Sequence, residues 1–164
     1  ATVPSIVFYN LHNCAAVHFI EADNSSYLCS NRKDSTYIYM KNIAETYWKR
    51  KKMPIPHLLL SDYEGRNVWS HKGIVHWRGM NICMVTDGYW RNKSATNLLD
   101  IDYMYLCKGY KGEIAPLQKL FHIKRIVLDA SLGDYKSKAY KEECKTLGLD
   151  YIDISEKGSF RILL

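Results

Sequence analysis

The sequence contains no hydrophobic run long enough to cross a membrane. A membrane-spanning helix needs about 20 consecutive, mostly apolar residues, and the chain has no such stretch although 47% of its 164 residues are hydrophobic. The start, "ATVPSIVFYN", lacks the basic residues that open a signal peptide. It also lacks an initial methionine, and we therefore expect a processed product or a piece cut from a longer protein.

Metal and phosphate motifs are missing too. No G-x-x-x-x-G-K-[ST] loop, no G-x-G-x-x-G loop and no G-x-S-x-G nucleophile elbow occurs. The cysteines form no C-x-x-C pair, and their odd number argues against a complete disulfide framework. We expect the five thiols to be small buried side chains: Cys14, Cys29, Cys83, Cys107 and Cys144.

Histidine pairs that would hold a catalytic metal ion are likewise absent. None of the six histidines forms an H-x-H, H-x-x-x-H or H-E-x-x-H pattern. Asp62, Asp87 and Asp129 each follow a strand-like run, which is where α/β enzymes collect their ligands. Aspartate also ends strands because it caps the turn that follows. We favour capping, since histidine partners are missing, but a metal site remains the alternative.

Positive charge is what the chain does have. The 23 lysines and arginines exceed the 17 aspartates and glutamates, so the net charge is +6 and anionic partners such as nucleic acid are favoured. Lysines accumulate in the second half, beside tyrosines that could stack on bases. The candidate phosphate or DNA contacts are Lys108, Tyr110, Lys111 and Lys136. A solvated charged face is the alternative interpretation.

Hydrophobic patterns in the first half predict mainly strands. Short runs rich in β-branched and aromatic residues predict an antiparallel meander: "SIVFYNL", "AAVHFIEA", "SSYLCS" and "STYIYM". A helix is predicted over residues 41–53, followed by a buried strand at "HLLLSD". A hairpin is predicted around Arg78–Gly79, and "YWRNKSATN" after it is predicted to be a polar loop.

The second half alternates strands and helices. A strand starts near Asp100, and helical spacing follows at Ile114, Leu117, Leu120 and Phe121. The strand "IKRIVLDA" leads to a helix capped by Asp134 and ended by Gly148, and "DYIDI" and "SFRILL" are expected to form a closing hairpin. This order predicts an α/β (α+β layered) fold of sheets covered by helices. We expect residues 1–164 to form a single domain.

Four stretches resemble a known family. Its first hairpin is similar to "IVFYNLHNCAAVHFIEADNSSYLCS", and a later strand that ends in a Gly-Asp pair is similar to "MNICMVTDG". Its segment of strand, H-H-G-S loop, helix and strand is similar to "LLDIDYMYLCKGYKGEIAPLQKLFHIKRIVLDAS". Its closing elements are similar to "YKSKAYKEECKTLGLDYIDISEKGSFRI". The chain thus resembles the C-terminal soluble domain of ComEC/Rec2-type bacterial competence proteins, the membrane channel proteins of DNA uptake. The resemblance implies a metallo-β-lactamase fold, here a truncated αββα sandwich.

The chain departs from the active members of that family at the metal ligands. Where those members carry H-H-G-S, residues 107–110 read C-K-G-Y, and Asp87–Gly88 reverses the Gly-Asp pair. Two divalent ions held close together need several anionic or imidazole ligands. The resemblance therefore implies a degenerate domain without catalytic residues, metal or other cofactor. Its former site would be marked by Asp62, Asp87, Cys107 and Gly109.

The expected role is structural, or the guiding of single-stranded DNA during uptake, with Lys108 and Lys111 as the first phosphate contacts. The resemblance also implies contact with the membrane-channel part of the same protein, in the cell envelope at the outer face of the cytoplasmic membrane. No small-molecule substrate is expected. One alternative is a metal-dependent phosphodiesterase or nuclease with an atypical site built from Asp62, Asp87, Asp129 and a distant histidine. Another is a protein–protein interaction module.

Overall fold

Two β-sheets make up most of the structure. The computed structural model describes residues 3–11, 14–31, 45–46, 49–50, 52–59 and 62–164. Within these residues the first sheet has five strands, in the order β12 (Phe160–Leu163), β1 (Ser5–Phe8), β2 (Ala16–Ile20), β3 (Ser26–Ser30) and β4 (His57–Leu58). Its strands pair antiparallel except for β3 and β4, which run parallel.

The second sheet has seven strands in the described part of the chain, and its strand pairing changes from antiparallel to parallel across its width. The strands lie in the order β11 (Asp150–Asp153), β10 (Phe121–Leu128), β9 (Leu99–Leu106), β8 (Met80–Val85), β7 (Ile74–Trp77), β6 (Val68–His71) and β5 (Tyr63–Glu64). The strands from β5 to β8 form an antiparallel meander, whereas those from β8 to β11 run parallel.

Two parallel strands that are neighbours in a sheet must be joined by a crossover connection. The helices of the second half lie in the connections between its strands. A 3-10 helix (Ala115–Lys119) lies between β9 and β10, α1 (Asp134–Leu147) between β10 and β11, and α2 (Ile154–Lys157) between β11 and β12. The predicted helix at Asp134 is thus confirmed, with Gly148 ending it in the left-handed conformation. Gly133, rather than Asp134, occupies the N-cap position.

The two sheets pack face to face through buried aromatic side chains. The ring of Phe8 on β1 lies 4.9 Å from that of Tyr105 on β9, and Phe19 on β2 lies 5.6 Å from Trp77 on β7. Such edge-to-face pairs contribute about 0.5–1.5 kcal/mol each beyond the burial of their area. On its other face the second sheet packs against α1 through Tyr140. The predicted mixed α/β sandwich is therefore confirmed.

Two tight turns define the antiparallel meander of the second sheet. Arg78 and Gly79 join β7 to β8 with φ angles of 50° and 74°, and Lys72 and Gly73 join β6 to β7 with 49° and 86°. Positive φ at both central residues is what a two-residue hairpin of right-handed twist requires. The hairpin predicted at Arg78–Gly79 is confirmed.

The predicted closing hairpin is wrong. β11 pairs parallel with β10 in the second sheet, whereas β12 pairs antiparallel with β1 in the first. The residues between them, "ISEK", form the single-turn helix α2, whose start is capped by the Asp153 carboxylate accepting from the Ser155 amide. Because Ile154 is buried, this helix anchors the crossing between the sheets. The segment that would have been the turn of this hairpin is thus a connection between the two sheets.

Three further predictions need correction or lie outside the described residues. The helix predicted from Ile114 is a short 3-10 helix, and Phe121 begins β10. The strand in "HLLLSD" extends over His57–Leu58 within the described residues. The strand "STYIYM" lies outside the described residues, as does most of the helix at 41–53, of which positions 45–46 and 49–50 are helical.

Candidate functional site

The carboxyl ends of the four parallel strands share one edge of the second sheet. In open α/β sheets ligands bind in the crevice outside this edge, because the loops that follow the strands converge there. Thr86 and Asp87 follow β8, residues 107–110 follow β9, and Asp129 follows β10. The topology therefore brings the loops of the predicted former site to one edge.

Gly109 locks the loop after β9 against the loop after β8. Its φ is +107°, and a Cβ atom there would lie 2.1 Å from the carbonyl oxygen of Thr86. The Cys107 amide donates to the Val85 carbonyl over 3.1 Å. The Cys107 side chain is fully buried, and burial, with a smaller contribution from Asp129, raises the pKa of its thiol well above the ordinary value. Cys107 is therefore a protonated core residue with no access to a ligand.

Asp129 ties the two sheets together below this edge. Its carboxylate accepts from the Tyr105 hydroxyl over 2.5 Å and from the Ser131 amide over 2.9 Å. The Tyr105 oxygen in turn accepts from the Ala16 amide of the first sheet over 3.2 Å. Burial raises the pKa of Asp129, although hydrogen bonds from Ser131 and Tyr105 oppose the rise. The side chain has a structural role and is not part of the cleft lining.

A cleft of about 580 Å³ opens beside the end of β8. Its walls combine residues of both sheets: Cys29, Ser30, Leu59, Asp62, Ser70, Lys72, Gly73, Val75, Met84, Val85, Thr86, Asp87, Tyr89 and Trp90. Two of the predicted site residues, Asp62 and Asp87, meet in this cleft, whereas Cys107 and Gly109 belong to the loop next to it. The structure thus brings only part of the predicted set together.

Both cleft carboxylates stabilise turns. Asp62 accepts from His71 Nδ1 over 2.7 Å and from the Lys72 amide over 3.1 Å. These hydrogen bonds, that from His71 foremost, lower the pKa of Asp62. Asp87 accepts from the Tyr89 amide over 2.9 Å, as aspartate commonly does at the start of a turn.

The donor set at this edge does not fit a two-metal centre. Among residues 3–11, 14–31, 45–46, 49–50, 52–59 and 62–164, no group of three or more histidine, cysteine, aspartate or glutamate side chains is placed to hold a metal ion. Asp62 has one histidine beside it, Asp87 caps a turn, and Asp129 is engaged with Tyr105. Two adjacent divalent cations would need more charge and more imidazole than this set supplies.

The four predicted phosphate or DNA contacts divide into two pairs. Lys108 and Lys111 are exposed, and only their backbone is held: the Lys108 amide donates to Ser131 Oγ over 3.1 Å. Lys136 Nζ donates to the carbonyls of Lys111 and Gly112 over 3.3 and 3.2 Å. Lys136 therefore fastens α1 to the loop after β9.

The buried Tyr110 side chain stabilises the loop after β9 from its core side. Its ring is buried in the core between the second sheet and α1, and its hydroxyl donates to the Glu113 carbonyl over 2.6 Å. A base could not stack on a ring in that position. Lys108 and Lys111 remain the accessible members of the predicted set.

An aromatic and cationic group on the cleft wall was missed in the sequence. The ammonium groups of Lys72 and Lys93 lie 5.2 and 4.7 Å from the ring centre of Tyr89. The polar loop predicted above includes "YWRNK", in which two aromatic residues stand beside basic ones, and this combination is a signal of nucleic-acid contact.

The comparison with known families yields one match. The model of the ComEC C-terminal domain matches residues 6–164. No curated protein and no solved structure matches the chain. Within the part of the chain that the structure describes, no helix is long and apolar enough to span a membrane.

Proposed function

The chain belongs to the ComEC C-terminal domain family, and from this premise we propose that it guides single-stranded DNA without cleaving it. ComEC proteins are membrane-associated proteins of competence, so the chain is part of a DNA-uptake protein. In the proposal residues 1–164 are a single, truncated metallo-β-lactamase-like domain that lies beside the channel, at the outer face of the cytoplasmic membrane.

The proposal rests on which side chains are engaged and which are exposed at the carboxyl edge of the parallel strands. The carboxylates of Asp62, Asp87 and Asp129 are committed to turns or to the contact between the sheets, and the loop after β9 exposes Lys108 and Lys111 beside the carboxylate of Glu113. The two ammonium groups attract a phosphate backbone, and among the described residues no group of ligands is placed to hold a metal ion that would activate water for hydrolysis. The net charge of +6 favours the same partner.

The contact expected at Lys108 and Lys111 is electrostatic. A lysine ammonium near a phosphate releases a condensed counterion, so the affinity falls as salt rises, by about 0.7 in the logarithmic slope per phosphate for a single strand. The two lysines stand three residues apart on one loop, which Gly109 and Lys136 hold in place. Neighbouring phosphates along a strand would thus meet a loop of fixed shape.

Fluorescence anisotropy of a labelled oligothymidine, measured over a range of salt concentrations, tests the proposal. Lys108→Gln combined with Lys111→Gln is expected to reduce the salt slope by about 1.4 and to weaken binding several-fold at low salt. Lys138→Gln combined with Lys145→Gln removes the same charge from exposed positions on α1 and is the matched control. Absence of salt-sensitive binding by the unaltered chain would contradict the proposal and favour the protein–protein module.

A further inference from the structure

Tyr89 is held at the mouth of the cleft by its neighbours. The Asp87 carboxylate accepts from its amide, and the Trp90 ring packs edge-on against it, with ring centres 4.6 Å apart at 82°. Trp90 is itself anchored on Phe121, with ring centres 5.2 Å apart. Tyr89 stays 38% exposed, whereas Trp90 is partly buried and packs against the core. The loop thus presents an aromatic side chain whose orientation is set in advance.

Two cations share this one ring. Lys72 comes from the turn between β6 and β7, and Lys93 from the loop after β8, yet both ammonium groups lie about 5 Å from the centre of the Tyr89 ring. Each is attracted by the electron-rich ring face, but the two positive charges repel each other. An anion placed between or beside them would be attracted by both. A phosphate group at the rim of the cleft satisfies this requirement.

The interior of the cleft favours an uncharged group. Asp62 and Asp87 line it with negative charge, which keeps a phosphate out, while Leu59, Val75 and Met84 contribute apolar wall. The volume of about 580 Å³ lies within the range of roughly 300–1,000 Å³ usual for small-ligand sites. A flat, neutral, hydrogen-bonding ring therefore fits the interior better than an anion does.

We propose that Tyr89, Lys72 and Lys93 form a subsite for one nucleotide of single-stranded DNA, in which the base takes the place of an ammonium group on the ring of Tyr89 in the cleft mouth and the two lysines hold its phosphate. The inference rests on the proposed function and names the part of the surface that contacts a base. Stacking on aromatic side chains is how single strands are bound without regard to sequence.

The subsite adjoins the lysines of the neighbouring loop. Gly109 lies against the Thr86 carbonyl at the edge of the cleft, and the Cys107 amide donates to the Val85 carbonyl. The start of the loop after β8 therefore lies against the loop that bears Lys108 and Lys111. A strand seated on Tyr89 would continue towards these lysines.

Matched tyrosine variants test the subsite. Tyr89→Ala is expected to weaken binding of a labelled oligothymidine about 5- to 100-fold, the range for loss of one stacked base. Tyr89→Phe keeps the ring and should bind within about twofold of the unaltered chain, because stacking needs the ring face and not the hydroxyl. Tyr135→Ala removes a tyrosine that is 89% exposed on α1 and is the control. Far-ultraviolet circular dichroism establishes that each variant is folded.

An abasic oligomer of the same length distinguishes binding through the stacked base from binding through the phosphate backbone. The subsite predicts that Tyr89→Ala binds this oligomer as the unaltered chain does, whereas Lys72→Gln with Lys93→Gln, which loses one phosphate contact, reduces the salt slope on both oligomers by about 0.7. If the unaltered chain binds oligothymidine and Tyr89→Ala matches Tyr135→Ala, the subsite is overturned and the proposed function stands. If the unaltered chain does not bind, the proposed function is overturned and the subsite with it.

Discussion

At the scale of single residues, buried and hydrogen-bonded polar side chains occupy positions at which the sequence allowed catalytic residues. Asp129 follows a parallel strand, as a metal ligand would, but the Tyr105 hydroxyl donates to it and the Ala16 amide donates to that same hydroxyl. The three groups cross from the second sheet to the first. The sequence offered two interpretations of Asp129, and the identity of its partner decides between them.

Removal of the Tyr105 hydroxyl tests this link. Tyr105→Phe leaves a buried amide and a buried carboxylate without their partner, and we expect a loss of about 1–3 kcal/mol in the free energy of unfolding. Urea denaturation measures the loss. Tyr103→Phe on the same strand is the control, with an expected change below about 0.5 kcal/mol. Equal losses in the two variants would contradict the assigned role.

The same variant carries a prediction for pH. The Tyr105 hydrogen bond lowers the pKa of Asp129, whose value burial holds above the 3.8 of an ordinary carboxyl. Without that bond the folded-state pKa rises further, so the folded protein binds more protons than the unfolded chain over a wider range above about pH 4. Stability then falls more steeply as pH rises. The destabilisation by Tyr105→Phe should therefore be larger at pH 7 than at pH 4, and a smaller loss at pH 7 would contradict the assignment.

At the scale of elements, the loops at the carboxyl edge are held by close backbone contact. Gly109 has a left-handed φ and faces the Thr86 carbonyl at a distance that excludes any side chain. The shape of the lysine-bearing loop thus depends on a residue that carries no functional group. This requirement is invisible in the sequence, from which Gly109 was predicted only as a position of a former site.

Gly109→Ala tests the contact between the two loops. The added Cβ and the positive φ together should cost about 1–3 kcal/mol of stability and displace Lys108 and Lys111, so that binding of oligothymidine weakens as well. Gly88→Ala is the matched control, because a Cβ at that position meets only Arg91 Cδ at an ordinary 3.9 Å. Thermal unfolding and anisotropy provide the two measurements. A variant as stable as Gly88→Ala would contradict the packing described here.

At the scale of the whole molecule, local patterns predicted most elements but not how all of them are joined. Short runs rich in β-branched and aromatic residues predicted β1, β2 and β3, and turn chemistry predicted the hairpin at Arg78–Gly79, since both signals lie within a few residues. The destination of β12 depended on its pairing with β1, more than 150 positions earlier, which no local pattern encodes. The closing hairpin was predicted for that reason, and it was wrong.

The candidate site was predictable to a similar extent. Strand ends and charge directed attention to Asp62, Asp87 and Lys108, and the fold brings them to one region. Burial of Tyr110 and the backbone contacts of Lys136 depend on how α1 packs against the loop after β9. The pairing of Lys72 with Tyr89 joins two loops 17 positions apart and required the sheet order. Contacts between side chains on different elements could therefore not be predicted from the sequence.

The central claim is that this carboxyl edge binds DNA but does not cut it. The most direct measurement follows an end-labelled single strand, incubated with the chain and either Mn²⁺ or Zn²⁺, on a denaturing gel. We expect the strand to keep its full length under conditions in which anisotropy shows it bound. Metal-dependent shortening that Asp87→Asn abolishes would instead establish that the chain is a nuclease.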